Sequence, residues 1–296
     1  GDPQMSVRLF AGWRMAAGLP LLAALSAATA AAATMLLRRW LCDAGTFAVA
    51  VGLAALSVRG GTVEYLLIQS GAGGGRGGAG LPLMFAVELV AWAGLLLVAA
   101  RITAMFSRAA QGGDGDFEAG DAPSSILQNP CGAELSVLMR RAGRDGDATL
   151  TLLDRGLRHA AMAAVLTAAL IIVFSLDLTR RPVSHGQVLF VSAASAWIAT
   201  YFSFKQFPVR SALWAMLAAL TVAFVGYLIA SLGSGRTDLP MNLPYSPFLR
   251  ALPIQAAAAG VGGALLGFWF VFDAAHLAAS DKPAGCSGKP ASGKKR

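Results

Sequence analysis

The chain has 296 residues, 56% of them hydrophobic and only 14% charged, with a formal net charge of +8 and a mean hydropathy of +0.60. Charged residues supply about a quarter of an ordinary water-soluble domain, so this composition excludes one; it also excludes a disordered chain, because so apolar a polymer does not stay solvated. Three cysteines are too few for a disulfide-stapled secreted module. The fold class this leaves is all-α, a polytopic transmembrane helix bundle.

In chain order, Arg14 and Arg38 bracket an uncharged run from Met15 to Leu37. As a helix it is roughly 34 Å long, against a hydrocarbon core of about 30 Å. Trp13 and Trp40 flank it at the separation of the two interfacial belts. The rival reading is a secretory signal, since Arg8 and Arg14 precede an apolar stretch containing Ala28, Thr29 and Ala30; the run is longer than an h-region of about 7 to 15 residues, which favours a span. Residues 40–58 are interrupted by Asp43 and form either a short span or a re-entrant helix. Clear apolar runs follow at 79–100, 160–176, 186–204, 211–233 and 251–272. Counting 40–58 gives seven spans, with six as the alternative.

The chain therefore divides into an N-terminal membrane segment over 1–100, a long loop over 101–158, a C-terminal membrane segment over 159–273 and a basic tail over 274–296. The long loop, the turn holding Lys205 and Arg210, and the tail together carry fourteen basic residues, against four in the opposite connections of this half: Arg180, Arg181, Arg236 and Arg250. The positive-inside rule puts the loop and the C-terminus in the cytoplasm, as expected for a multi-pass protein of the cell inner membrane. This bias accounts for the net charge, and no nucleic-acid partner is expected.

Gly71 to Gly80 contains seven glycines. It holds a GxGxxG from Gly73 to Gly78, but with no preceding strand and no Walker lysine it reads as a flexible linker. Thr62 to Ser70 reads as an interfacial helix. The long loop opens with a Gly- and Asp-rich stretch, Gly112 to Asp121, expected to be disordered. Two amphipathic helices are then expected, one over Ala133 to Ala142 and one capped by Asp147 that carries Leu150, Leu153 and Leu157 towards the next span. Such segments lie on headgroups or dock a cytosolic partner. The tail ends Lys294, Lys295, Arg296 and suits an anionic leaflet.

Glu88 lies ten residues into its run, near the bilayer midplane, where an ionisable group costs about 2.5 to 3.5 kcal/mol. With no lysine or arginine in any central span, a protonated, hydrogen-bonded carboxylic acid is its expected resting form. Its expected partners, as an intramembrane polar cluster, are Trp92, one turn along, and Ser192 with Ser195 at comparable depth. Such a cluster serves as a proton or cation relay, or as a polar clamp between helices. Trp197 is expected to pack in the core. Ala256, Gly260, Gly263 and Gly267 recur at four, three and four residues, a small-residue stripe that lets another backbone come close, whether of this chain or of a second copy. Pro253 and Gln255, just before it, mark a softened helix start near the outer face.

His185 falls at an outer end, while His159 and His276 fall at cytoplasmic ends, so no opposed pair spans the bilayer to hold a haem; no metal or other cofactor is expected. Cys42, Cys131 and Cys286 have no CxxC spacing and are expected as free thiols. There is no GxSxG, no HExxH and no P-loop lysine. The leading expectation is a non-enzymatic assembly or scaffold subunit with a membrane or cytosolic protein partner, or a second copy of itself. The alternative is a proton-coupled or small-solute transporter or channel using Glu88. A membrane-embedded transferase built on Asp154, Arg155 and His159 ranks third.

Overall fold

The computed structural model describes residues 13–37, 43–58, 80–111, 146–175, 184–209, 211–233 and 247–280. Among these there are seven α-helices and no strands: α1 Trp13–Leu37, α2 Ala44–Val58, α3 Gly80–Gln111, α4 Gly146–Ser175, α5 His185–Gln206, α6 Leu213–Gly233 and α7 Pro253–Ser280, with a 3₁₀ turn, Pro247–Arg250, before α7. Six of them are long and apolar enough to cross a membrane; α2, at 15 residues, is shorter. The protein is a helical multi-pass membrane bundle. Thr62 to Ser70, residues 71–79 of the glycine linker, residues 112–145 of the loop with its Ala133–Ala142 helix, Trp40, all three cysteines and residues 281–296 lie outside the described residues.

Helix α7 is the axis of the bundle: over Pro253–Val271, 83% of its residues are buried, against 17% for the spanning parts of α1 and α4. Composition explains this. Alanine and glycine dominate its first half, which makes a thin cylinder, and α5, α2, α6 and α3 all pack around it. In hydrocarbon, where apolar burial gives little drive, such close van der Waals packing is what holds helices together.

Residue pairs fix the direction of each helix. Gly263 sits on Ala193 and Gly267 on Trp197, so α5 and α7 run parallel. Gly260 faces Ala219 and Tyr227 reaches Ala251, so α6 is antiparallel to α7. Phe47 lies edge-on to Trp269, 5.0 Å between ring centroids, and Ala50 lies beside Gly262, so α2 is antiparallel to α7 as well. Gly45 at the start of α2 nests against Thr34 and Ala30 of α1 and Thr103 of α3, and Gly156 of α4 against Trp214 at the start of α6. Successive helices therefore alternate in direction. The end of α3, the start of α4, the end of α5 and the end of α7 share one end of the bundle, called here the loop end; His185, Arg250 and Gln255 mark the other.

Two expectations need correction. The stretch 101–158 is helical at both ends, because α3 continues to Gln111 and α4 begins at Gly146; the segment headed by Asp147 is the first part of the fourth span's own helix, not a separate one. A charge ends a hydrophobic run but does not end a helix, since Arg, Asp and Leu all sustain the backbone ladder outside the bilayer. Trp197 is 38% exposed, lying edge-on to Phe270 at 6.0 Å on the outside of the α5–α7 pair rather than in the core.

Candidate functional site

Glu88 is fully buried on α3, as is Trp92 one turn later, and the indole Nε1–H of Trp92 points to the Glu88 carboxylate at 3.4 Å. Spacing of four on one helix face makes this contact local. From α6, Tyr227 approaches: its ring packs edge-on to Phe85 at 5.7 Å, one turn before Glu88. The Tyr227 hydroxyl, also fully buried, donates to the carbonyl of Ala251 at 2.7 Å. The acid is thus buried on α3 beside its contact with α6, and the Tyr227 hydroxyl on that helix reaches the segment just before α7.

That start is built from polar parts. Leu252 is the N-cap residue of α7: its carbonyl takes the first helical bond, from Ala256 N–H at 2.9 Å. Proline at the first helical position has no N–H to leave unpaired and is preset for helix. Gln255, three residues after the cap, turns back so that its Oε1 accepts the Leu252 N–H at 3.0 Å, one half of a capping box. Its amide nitrogen then meets Nδ1 of His185, the first residue of α5, at 2.9 Å. Helix α5 begins with the full box: Ser184 Oγ accepts from Gln187 N–H at 3.3 Å and Gln187 Oε1 from Ser184 N–H at 3.0 Å. From the half-exposed His185, a line of polar groups runs through Gln255 and the Ala251–Leu252 backbone to Tyr227, whose ring packs on Phe85 one turn before Glu88.

The structure does not bring Ser192 and Ser195 to this acid. They stand on α5, which packs chiefly on α4 and α7, whereas α3 packs on α1, α2, α6 and α7; helix α7 lies between. Equal depth does not make neighbours when a third helix separates two others. Ser192 instead lines a small cleft at the same end as His185, with Ser175, Val188, Phe248, Arg250 and Ala256, where the Arg250 guanidinium donates to the Ser175 carbonyl at 3.3 Å. Ser195 is buried, its Oγ without a hydrogen-bond partner. Sequence reasoning missed Tyr227, although a phenol within a span, where a partner for its hydroxyl is obligatory, was a readable signal.

The small-residue stripe is used within the chain. Gly263 lies where a methyl would overlap the Ala193 carbonyl; at Gly267 a methyl would come to 2.5 Å from the Trp197 carbonyl. Gly260 faces α6 instead, at Ala219, and Ala256 lines the cleft.

At the loop end, His159 is buried, with Nδ1 3.0 Å from the Phe207 carbonyl, while its Nε2 and the buried Ser203 Oγ have no hydrogen-bond partner. Asp154 and Arg158 instead form an exposed pair at 2.8 Å. The residues of the transferase reading therefore point apart, and no group of three or more metal-ligating side chains occurs among the described residues. No protein-family model, curated protein or solved structure matches this chain.

Proposed function

We propose that this protein is a multi-pass inner-membrane carrier or channel for protons or a small proton-coupled solute, with Glu88 as the proton-exchanging group. One observation carries the reading: a fully buried carboxyl group lies one turn from Phe85, on which Tyr227 packs, and from Tyr227 successive polar groups lead to the bundle end at His185. An ionisable side chain at this depth is costly, and the polar line gives it a route for proton exchange that a simple clamp does not need. Arg101, Arg155, Arg158 and Lys205 stand at the loop end, which by the positive-inside rule faces the cytoplasm with the C-terminus, and the His185 end faces outward. With alternating helix directions, counting α2 as a short span gives seven crossings and an outer N-terminal side for α1.

On this reading the stripe on α7 serves packing within the chain, with Gly263 and Gly267 against α5 and Gly260 against α6. The test is proton uptake by vesicles containing the purified protein. Replacing Glu88 by Gln conserves shape, so the variant is expected to retain its helical content and melting temperature while uptake is abolished. Uptake unchanged in Glu88→Gln, or absent from the native protein, refutes the reading and returns Glu88 to the role of a clamp.

A further inference from the structure

We infer that His185 and Gln255 form a proton-operated gate at the outward end of the route to Glu88, a step that rests on the transport reading above. The amide orientation of Gln255 is fixed by its own geometry: Oε1 accepts the Leu252 N–H at 3.0 Å, so the group turned to His185, at 2.9 Å, is the NH₂. Nδ1 of His185 is therefore the acceptor, and the neutral ring carries its hydrogen on Nε2. This arrangement holds only while His185 is neutral. Protonation places an N–H on Nδ1, and two donors then confront each other across a hydrogen-bond distance.

Gln255 satisfies the imidazolium by turning Oε1 towards it. That turn withdraws the acceptor from Leu252 N–H and uncaps α7. The adjoining carbonyl, of Ala251, is the one that holds the Tyr227 hydroxyl, so loosening this two-residue strap frees the phenol of Tyr227, whose ring packs on Phe85 one turn before Glu88. The amide thus has two discrete orientations, each matched to one charge state of the imidazole, which is the ordinary physiological proton switch. Among the described residues of the elements packed against α5 and α7, the other charged or titratable groups towards this end are Arg250 on the 3₁₀ turn, Tyr227 on α6 and Glu88 on α3; the last turn of α4 and the first turn of α7 carry none.

The readout that separates the gate from transport itself is hydrogen exchange at the Leu252 amide, measured on the full chain in lipid nanodiscs and corrected for the intrinsic pH dependence of exchange. Loss of one hydrogen bond predicts a roughly fivefold fall in protection as the pH drops from about 8 to about 5. His185→Gln supplies an acceptor that does not protonate, and its protection stays flat. Gln255→Glu offers two carboxylate oxygens, one for Leu252 N–H and one for the imidazolium, so its protection stays flat as well and serves if His185→Gln does not fold. Constant protection in the native protein, or the same acid-induced fall in a folded variant, overturns the gate whatever the vesicles do. A Leu252 switch without Glu88-dependent proton uptake upholds the gate and removes the transport reading alone.

Discussion

Gly263 of α7 lies directly against the backbone carbonyl of Ala193 on α5, so closely that a single added methyl group would overlap it. Its neighbour Gly262 faces α2, where the nearest atoms to an added methyl, on Ala50 and Phe47, are at 3.9 Å. Two adjacent glycines on one helix therefore make opposite predictions. Gly263→Ala is expected to force α5 and α7 apart at a cost of about 1 to 3 kcal/mol, whereas Gly262→Ala meets ordinary van der Waals contact and gains up to about 1 kcal/mol of helix propensity. Thermal unfolding of the two variants in the same detergent checks this. Equal melting temperatures would show that the close approach is not what holds these helices.

A similar contact at the loop end is relieved by its partner. Gly156 on α4 is buried with the indole of Trp214 lying over it, and an added methyl would overlap the ring. Gly156→Ala is expected to cost about 1 to 3 kcal/mol in the native background. Much of that loss should disappear when Trp214 is first replaced by Leu, because the obstacle is one ring rather than a backbone. A double-mutant cycle on melting temperature measures the coupling, and strict additivity of the two changes would count against the contact.

How far the sequence disclosed this arrangement depends on the range of each interaction. The spans were legible because hydropathy and length are local, and the Glu88–Trp92 contact because four residues on one helix always share a face. The stripe at Gly260, Gly263 and Gly267 announced close approach but not its partner; that depended on α5 and α7 running parallel with a register offset of about seventy residues, which no local pattern encodes. Ser192 and Ser195 were matched to Glu88 by depth alone, and depth leaves the order of helices around the axis undetermined. Gln255 was visible as a polar residue at a helix start, but its second bond, to His185, joins residues seventy apart. Asp43, read as an interruption, stands just before α2 and its carbonyl takes the Phe47 N–H at 3.0 Å, so it begins the helix rather than breaking a span.

Around the buried acid, two aromatic donors should differ in weight. Tyr227→Phe removes a 2.7 Å bond to the Ala251 carbonyl and leaves that buried acceptor short of a partner, a loss of about 1 to 3 kcal/mol. Trp92→Phe removes a longer bond, 3.4 Å, and also shrinks a fully buried side chain, so its stability loss comes mainly from the cavity, about 3 kcal/mol or less. The two are separated by function. On the transport reading Tyr227→Phe interrupts the route and slows proton uptake, while Trp92→Phe leaves the route continuous. Uptake measured in vesicles at matched protein content decides this; unimpaired uptake in Tyr227→Phe would take the phenol out of the path.

Five residues apart on α4, Asp154 and His159 look alike in the sequence as polar groups at a span boundary, yet the structure separates them. The Asp154–Arg158 pair lies in solvent, with side chains 57% and 63% exposed, where an isolated ion pair contributes less than about 1 kcal/mol. His159 is buried and joins α4 to the carbonyl of Phe207 just beyond α5. Asp154→Asn is therefore expected to leave the melting temperature within error of the native value at any salt concentration. His159→Phe keeps the ring volume but strands a carbonyl, and should cost about 1 to 3 kcal/mol. A transferase centred on Asp154 predicts the reverse hierarchy for activity, with Asp154→Asn inactive and fully folded. Melting temperatures of the two variants check the expected order, and unchanged proton uptake by Asp154→Asn in vesicles is the outcome expected on the transport reading.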